Sequence, residues 1–319
     1  MNLHENKNIF SELIQLAAVK FNILPTYVEK DYWITRSLQR MSQNPNADKV
    51  VFKGGTSLSK AYHLTKRFSE DIDVAVIEAD SFSGNQLKML IKRLAKDMAE
   101  GLDEIVIPGV TSKGSRFYKA FYSYPNLTGL TASAVKAGQL LIEINTYANP
   151  YPYVKQKITS FISDYLAAIG RQDSIAEYQL SSFTINVLDK QQTMVEKLVS
   201  LIRFSFSGDP IVALAGKIRH FYDLYYLAND DECAKYVRSA DFQKDLSELY
   251  AHDQQEFDEP QGWQTKNITE SPLVSDFSTL WGSLRSTYQN ELTNLAFSKI
   301  PDEQSISRSF TKTMEYVVK

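Results

Sequence analysis

One cysteine, Cys233, among 319 residues leaves no partner for an intramolecular disulfide and too few thiols for a Cys-rich zinc site. A reducing, cytoplasmic setting is the expectation. The histidines number four, and His63 and His220 stand too far apart to suggest a metal cluster. No segment approaches ~18 uninterrupted apolar residues, and residues 1–8 lack the basic stretch and apolar run of a secretory signal, so no membrane association is expected. Neither charge sign dominates: 35 Lys+Arg face 38 Asp+Glu, a net charge of −3 that excludes a generally basic nucleic-acid coat. Internal repeats and long low-complexity tracts are lacking too.

What remains is an ordinary globular composition, 43% hydrophobic and 23% charged. The length favours two domains. Residues 1–150 carry 18 Lys+Arg and 15 Asp+Glu, whereas residues 151–319 carry 17 and 23, so any nucleic-acid contact is expected to be local and in the first half.

Over about residues 8–42, Ile9, Leu13, Leu16 and Ala17, then Ile34 and Leu38 after Pro25, predict two helices. Residues 49–53 form a β-rich run that meets Gly54-Gly55, and helical spacing resumes over 56–62: strand, tight turn, helix. In 71–76, Ile72, Val74 and Val76 alternate with Asp71, Asp73 and Ala75, which predicts a strand with a polar face. A helix over 86–100 follows, then a strand at 105–107, and after it strands over 116–122 and 140–145 that read as an antiparallel pair. Between those two lies a Ser/Thr/Gly-containing stretch. Asn149-Pro150-Tyr151-Pro152 breaks the chain and predicts a boundary between domains 1–150 and 151–319. Beyond it helical patterns dominate, clearest over 191–206 and 212–228, then near 231–251, 273–298 and 302–318.

The sharpest chemical signal pairs Gly54-Gly55-Thr56-Ser57 with Asp71-x-Asp73. A glycine pair at a strand-to-helix turn permits close backbone approach and suits a triphosphate, with Ser57 adding a hydroxyl. Strand residues i and i+2 share a face about 6.6 Å apart, so Asp71 and Asp73 suit Mg²⁺ and phosphoryl or nucleotidyl transfer. Either feature alone is ordinary surface structure; their conjunction favours a site. Glu143 interrupts the apolar run Leu140–Ile144 and is the candidate third carboxylate, as metal ligand or base, against the alternative of an edge-strand glutamate facing water. Lys113, Arg116, Tyr118, Lys119, Phe121, Tyr122 and Tyr124 interleave cations and rings as an RNA surface would, although an ordinary half-buried strand is the better reading.

Four ordered segments, Phe52-Lys53-Gly54-Gly55-Thr56-Ser57-Leu58, Arg67-Phe68-Ser69-Glu70-Asp71-Ile72-Asp73, Glu196-Lys197-Leu198-Val199-Ser200-Leu201-Ile202-Arg203 and Arg219-His220-Phe221-Tyr222-Asp223-Leu224-Tyr225, resemble the motifs of the AbiEii-type nucleotidyltransferases. That family of the DNA polymerase β superfamily includes toxin halves of abortive-infection and type IV toxin–antitoxin pairs, with MenT toxins as relatives. Glu29-Lys30-Asp31-Tyr32-Trp33 resembles a further family segment, and the likeness runs from about residue 29 to 228. It implies an α+β fold: a polymerase-β-like nucleotidyltransferase core with a mixed sheet, followed by a mainly helical C-terminal domain. By the same pattern Gly54, Gly55, Thr56, Ser57 and Ser69 would hold the nucleotide, Asp71 and Asp73 would bind Mg²⁺, Lys197 would reach the triphosphate, and Asp223 would assist catalysis. Arg203 is a second candidate phosphate contact.

The resemblance also implies a nucleoside triphosphate substrate, an RNA acceptor such as the tRNA 3′ end, a block of translation, and a cognate antitoxin. Taken by themselves, Lys197 reads as a solvated helix lysine and Arg219 with Asp223 as an i,i+4 surface ion pair. Glu143 stands where many relatives use aspartate, and His220 where an acid often precedes the aromatic, so the base stays open between Glu143 and Asp223. The competing functions are a protein nucleotidylyltransferase that attaches AMP to side chains and a non-catalytic nucleotide-binding module.

Overall fold

A computed structural model of the chain describes residues 1–114, 116–129 and 138–319. The Ser/Thr/Gly-containing stretch noted above falls partly outside these residues. The chain divides into two compact units: Met1–His63 with Phe68–Leu188, and Leu64–Arg67 with Asp189–Lys319.

In the first unit, α1 (Lys7–Phe21) ends at Asn22 in the left-handed conformation, a residue type that tolerates it, and α2 (Pro25–Gln43) starts with Pro25 in its first turn, where a missing N–H costs nothing. The expected pair of helices is present, but α1 is turned by about one residue: Phe10, Ile14, Ala17 and Ala18 are buried, while Leu16 is exposed. Phe10 sets this rotation by packing against Tyr32, ring centroids 4.6 Å apart with the planes tilted by 53°.

The strands β1 (Val50–Lys53), β2 (Asp71–Val76), β3 (Asp103–Ile105), β4 (Ser112–Lys113), β5 (Phe117–Ser123), β6 (Gln139–Asn145), β7 (Tyr153–Ile158) and β8 (Phe183–Leu188) form one eight-stranded sheet, ordered β3-β5-β6-β2-β1-β8-β7 with β4 on β5. It is mixed: β1 runs antiparallel to β2 but parallel to β8, β2 is parallel to β6, and β5 pairs antiparallel with β6 as expected. Between β1 and β2 lies α3 (Gly54–Lys60), and α4 (Gly84–Met98) follows β2, its start closed by a reciprocal cap between Ser83 and Gln86. Leu140, Ile142 and Ile144 of β6 and Ile72 and Val74 of β2 are fully buried on one face of the sheet. That alternation sends Asp71, Asp73 and Glu143 to the other face.

The proline-rich break at 149–152 is a turn between β6 and β7 rather than a domain boundary. Two short helices, α5 (Phe161–Ala168) and α6 (Gln172–Glu177), then connect β7 to β8, which adds to β1 through the Phe52–Val187 register. Residues 151–188 therefore belong to the sheet unit, and the compact units part after Leu188. Asn186 shows why the sequence hid this: it interrupts an apolar strand, yet it is buried and donates to the carbonyl of Val50 at 3.2 Å.

The second unit is helical, from α7 (Lys190–Ser205) through α8 (Pro210–Ala215), α9 (Ile218–Ala228), α10 (Asp231–Tyr236), α11 (Ala240–Glu256), α12 (Pro272–Ser275) and α13 (Phe277–Leu295) to α14 (Glu303–Val317). Its core centres on Phe221, 4.9 Å from Phe310 and 5.4 Å from Trp281 between ring centroids. The helix expected over 212–228 is two helices, broken at Gly216-Lys217. Among the described residues no helix is long and apolar enough to cross a membrane.

Candidate active site

The site is assembled on one line across the sheet. Register places Lys53 of β1 beside Asp73 of β2, Asp73 beside Glu143 of β6, and Glu143 beside Lys119 of β5. Neighbouring strands lie about 4.8 Å apart, so the row alternates as cation, carboxylate, carboxylate, cation over roughly 14 Å. Asp71 stands two residues before Asp73 on the same face. The structure thus brings together all three carboxylates read from the sequence.

The electrostatics follow from that crowding. Burial, then the Glu143 and Asp71 carboxylates, push the Asp73 carboxyl well above the usual range, to about 8, against a smaller opposing pull from Lys53. Glu143 is not the exposed edge-strand residue of the bland alternative: β6 lies between β5 and β2, and Lys119 Nζ sits 2.5 Å from its Oε1. Among the described residues no three His, Cys, Asp or Glu side chains form a ready-made metal cage. A Mg²⁺ ion does not need one, since it commonly takes one or two protein carboxylates and fills its octahedron with water and substrate phosphates. Two carboxylates on one strand face, with like charge raising the cost of ionisation, fit such an ion.

Beside this row, β1 turns into α3. Gly54 has φ +81°, and a Cβ there would collide with the Asp73 carboxylate. The glycine is therefore required twice, by backbone conformation and by space. Gly54→Ala is expected to cost on the order of 2 kcal/mol of stability and to displace Asp73. A lowered melting temperature together with lost divalent-metal binding in calorimetry would meet this expectation; a variant with wild-type values in both would contradict it.

The hydroxyls after Gly54 are spent largely on fixing the corner. Thr56 donates to the carbonyl of Asp71 at 2.5 Å, with the Ser69 hydroxyl 2.9 Å away, tying α3 to the start of β2. Ser57 is fully buried and donates to the Gly54 carbonyl at 2.8 Å. Three of the polar residues expected to hold a nucleotide thus shape the turn that would hold it.

Sequence reasoning missed the buried ties that set these loops. In the Glu29-Lys30-Asp31 segment of α2, Glu29 accepts from the backbone N–H of Leu127 at 2.7 Å, Lys30 pairs with Glu70 at 2.6 Å, and Asp31 accepts from Lys60 at 2.5 Å and from the Phe161 N–H at 2.9 Å. Lys30 and Glu29 are almost wholly buried, so each charge needs its partner. The signal was present in the sequence as three charges inside a helix that also carries Tyr27, Tyr32 and Trp33.

On β5 the ordinary half-buried strand, the better of the two readings, is what the structure shows. Tyr118, Phe121, Tyr122 and Tyr124 are buried, the Tyr118 and Tyr122 hydroxyls lie 2.5 Å apart, and Tyr124 stacks on Trp33 at 5.5 Å. Lys113 pairs with Glu104 at 2.6 Å and Lys119 with Glu143. The strand alternates as expected and is half-buried: Tyr118, Ala120 and Tyr122 are buried on one face, while Phe117 and Lys119 on the other are partly exposed.

Within the second unit, Asp223 of α9 is fully buried between Arg67, which grips it with two hydrogen bonds of 2.8 and 2.7 Å, and Lys197 Nζ at 2.8 Å. Lys197 is correspondingly not a solvated lysine, and the surface pairing of Arg219 with Asp223 is replaced by Arg219 with Glu291 at 2.5 Å. Against the penalty of burial, the two cations hold the Asp223 carboxyl far below its ordinary range. Burial, then the Lys197 and Lys217 charges, push the His220 imidazole well below its ordinary range. Arg203 lies elsewhere on α7: its guanidinium is 4.0 Å from the Phe257 ring centroid and 5.8 Å from that of Trp263, a cation–π setting. Arg67, at the start of the motif that carries Asp71 and Asp73, leaves no sign in the sequence of this pairing, because Asp223 is remote in the chain.

A family model described as "Nucleotidyl transferase AbiEii toxin, Type IV TA system" matches residues 36–304. No curated protein matches the chain. Among solved structures the chain is similar to MenT4, a nucleotidyltransferase toxin from Mycobacterium tuberculosis H37Rv, at 16% identity and a TM-score of 0.46, covering 96% of this chain and 98% of that one.

Proposed function

Because the chain belongs to the AbiEii nucleotidyltransferase toxin family of type IV toxin–antitoxin systems, we propose that it transfers a nucleotidyl group from a nucleoside triphosphate to RNA, with the tRNA 3′ end as acceptor, using Mg²⁺. Membership implies a nucleotide substrate and an antitoxin partner; the RNA acceptor, the metal and the block of translation are this reading's own. The observation that carries it is the placing of Asp71, Asp73 and Glu143 on one sheet face against the Gly54 corner.

In this reading Asp71 and Asp73 hold the metal, while Gly54 and Gly55 let the backbone approach the triphosphate. Mg²⁺, when bound, supplies positive charge to the transferring phosphoryl group and its leaving pyrophosphate. Glu143, its direction fixed by Lys119, accepts the proton of the acceptor hydroxyl as that oxygen bonds to the α-phosphorus and the bond to pyrophosphate breaks. Asp223 is not assigned as the base, because both of its oxygens are committed to cations. Its role is to hold Lys197, and both residues are required for transfer.

The test is incubation with each α-labelled nucleoside triphosphate, total RNA and Mg²⁺. Label is expected in a tRNA-sized band that resists protease and is lost to ribonuclease. Label in a protease-sensitive band would move the acceptor to a protein, and nucleotide binding without transfer would make the chain a binding module.

A further inference from the structure

Several cations of the second unit are paired with carboxylates. Lys190 meets Asp230 and Glu232, Arg219 meets Glu291, and Lys266 meets Glu270. The second unit also carries 20 Asp+Glu against 16 Lys+Arg, so acidic partners outnumber its cations. Exposed cations with no carboxylate within ion-pair distance among the described residues include Arg238, Arg285, Arg308 and Lys312, and these four line two hollows.

The first, about 300 Å³, is walled by α9, α10 and α14 and bears Arg238, Arg308, Lys312, Tyr225 and Tyr316. No carboxylate is among its lining residues. The second, about 440 Å³, lies between α13 and α14 and bears Arg285, Arg308 and Trp281, with Glu303 its one acid. Arg308 belongs to both, anchored by its Nε to the carbonyl of Gln304 at 3.4 Å. Helical spacing explains the arrangement: Ser305, Arg308, Lys312 and Tyr316 recur at three and four residues along one stripe of α14, while Ile306, Phe310 and Met314 are buried on the opposite side.

We propose that these joined hollows bind the backbone of the RNA acceptor, with Arg308 at the phosphate between two successive nucleosides. A shared cation between two hollows, with Tyr225 and Tyr316 lining the first, matches the make-up of a polynucleotide site: charge for phosphate, rings beside it for a base. Cations left unpaired in an acidic unit fit a polyanionic ligand. This deepens the RNA reading of the proposed function and rests on it.

The experiment measures anisotropy of a fluorescein-labelled tRNA transcript across 50 to 200 mM NaCl, for the full chain and for Arg308→Gln with Lys312→Gln. Since exposed residues are changed, the melting temperature should hold. The double variant is expected to bind at least 10-fold more weakly at 100 mM salt, with the slope of log affinity against log salt shallower by about 1 for each residue removed. Nucleoside triphosphate binding, followed by calorimetry, is expected to be unchanged. Wild-type affinity and slope in the double variant, with the RNA still labelled, would overturn the groove and leave the RNA reading standing. Failure of the unmodified chain to bind or label any RNA would instead remove the RNA reading, and the groove with it.

Discussion

Asp73→Asn and Asp71→Asn should each reduce nucleotidyl transfer by at least ~10³-fold, about 4 kcal/mol of transition-state stabilisation, while leaving the protein folded. An amide oxygen is a poorer ligand for a hard divalent cation than a carboxylate, so losing either Asp donor should weaken the metal's hold. The stability side of the expectation is what separates it from simple damage. Asp73 sits beside Glu143 and Asp71, and its crowded charge is a cost in the metal-free protein, so a neutral amide there should leave the melting temperature unchanged or raise it. Chelation by EDTA should abolish transfer in the unmodified chain, and added Mg²⁺ should restore it without refolding. A variant that loses transfer and melts several degrees lower would point to a structural role; undiminished transfer in both variants would remove these residues from the chemistry.

The legibility of this site in the sequence depended on which physical signal each residue leaves. Asp71 and Asp73 announced themselves because a period of two residues against Ile72, Val74 and Val76 puts both on one face, and β2 spans the residues expected. Glu143 was legible for the same reason, as a charge inside an apolar strand. What the pattern could not contain was its partner: Lys119 comes from β5, and pairing across strands is set by register rather than by local sequence. The same limit hid Asp31 with Lys60 and Arg67 with Asp223, whose partners are remote in the chain. Helix positions were read with less error than helix faces, as α1 illustrates: Leu16 looked internal by spacing, whereas the rings of Phe10 and Tyr32 decided the rotation. The domain boundary failed because two prolines mark any turn, and only the pairing of β8 with β1 reveals that the sheet continues past them. Rings on β5 suggested bases to stack on, yet Tyr118, Phe121, Tyr122 and Tyr124 are buried within the protein.

Asp223→Asn should be the most destabilising single substitution among the residues discussed, by about 3–5 kcal/mol, since it leaves two buried cations without a counter-charge. The side chains of Asp223, Arg67 and Lys197 are 0%, 3% and 7% exposed, so water cannot replace the lost carboxylate. The asparagine also turns an N–H₂ toward a cation where an oxygen had accepted. Lys197→Met should be far milder for stability: it removes one cation, keeps the apolar stem, and leaves Asp223 gripped by Arg67 through two hydrogen bonds. Transfer should nevertheless fall with Lys197→Met, which distinguishes a functional lysine from a merely structural one. Combining the two changes should recover part of the loss, because the double variant retains one unpaired cation instead of two, with a coupling of roughly 1–3 kcal/mol in urea denaturation. The pH dependence has a definite sign. With its carboxyl held far below the ordinary range, Asp223 contributes fully above the unfolded value near 3.9, and that contribution is lost only as pH falls through the lower folded value. Wild-type stability should therefore exceed that of Asp223→Asn by a constant margin from pH 5 to 8, narrowing below about pH 4. Equal denaturation midpoints at neutral pH would mean that the cluster contributes no net stability and that Asp223 is retained for another purpose.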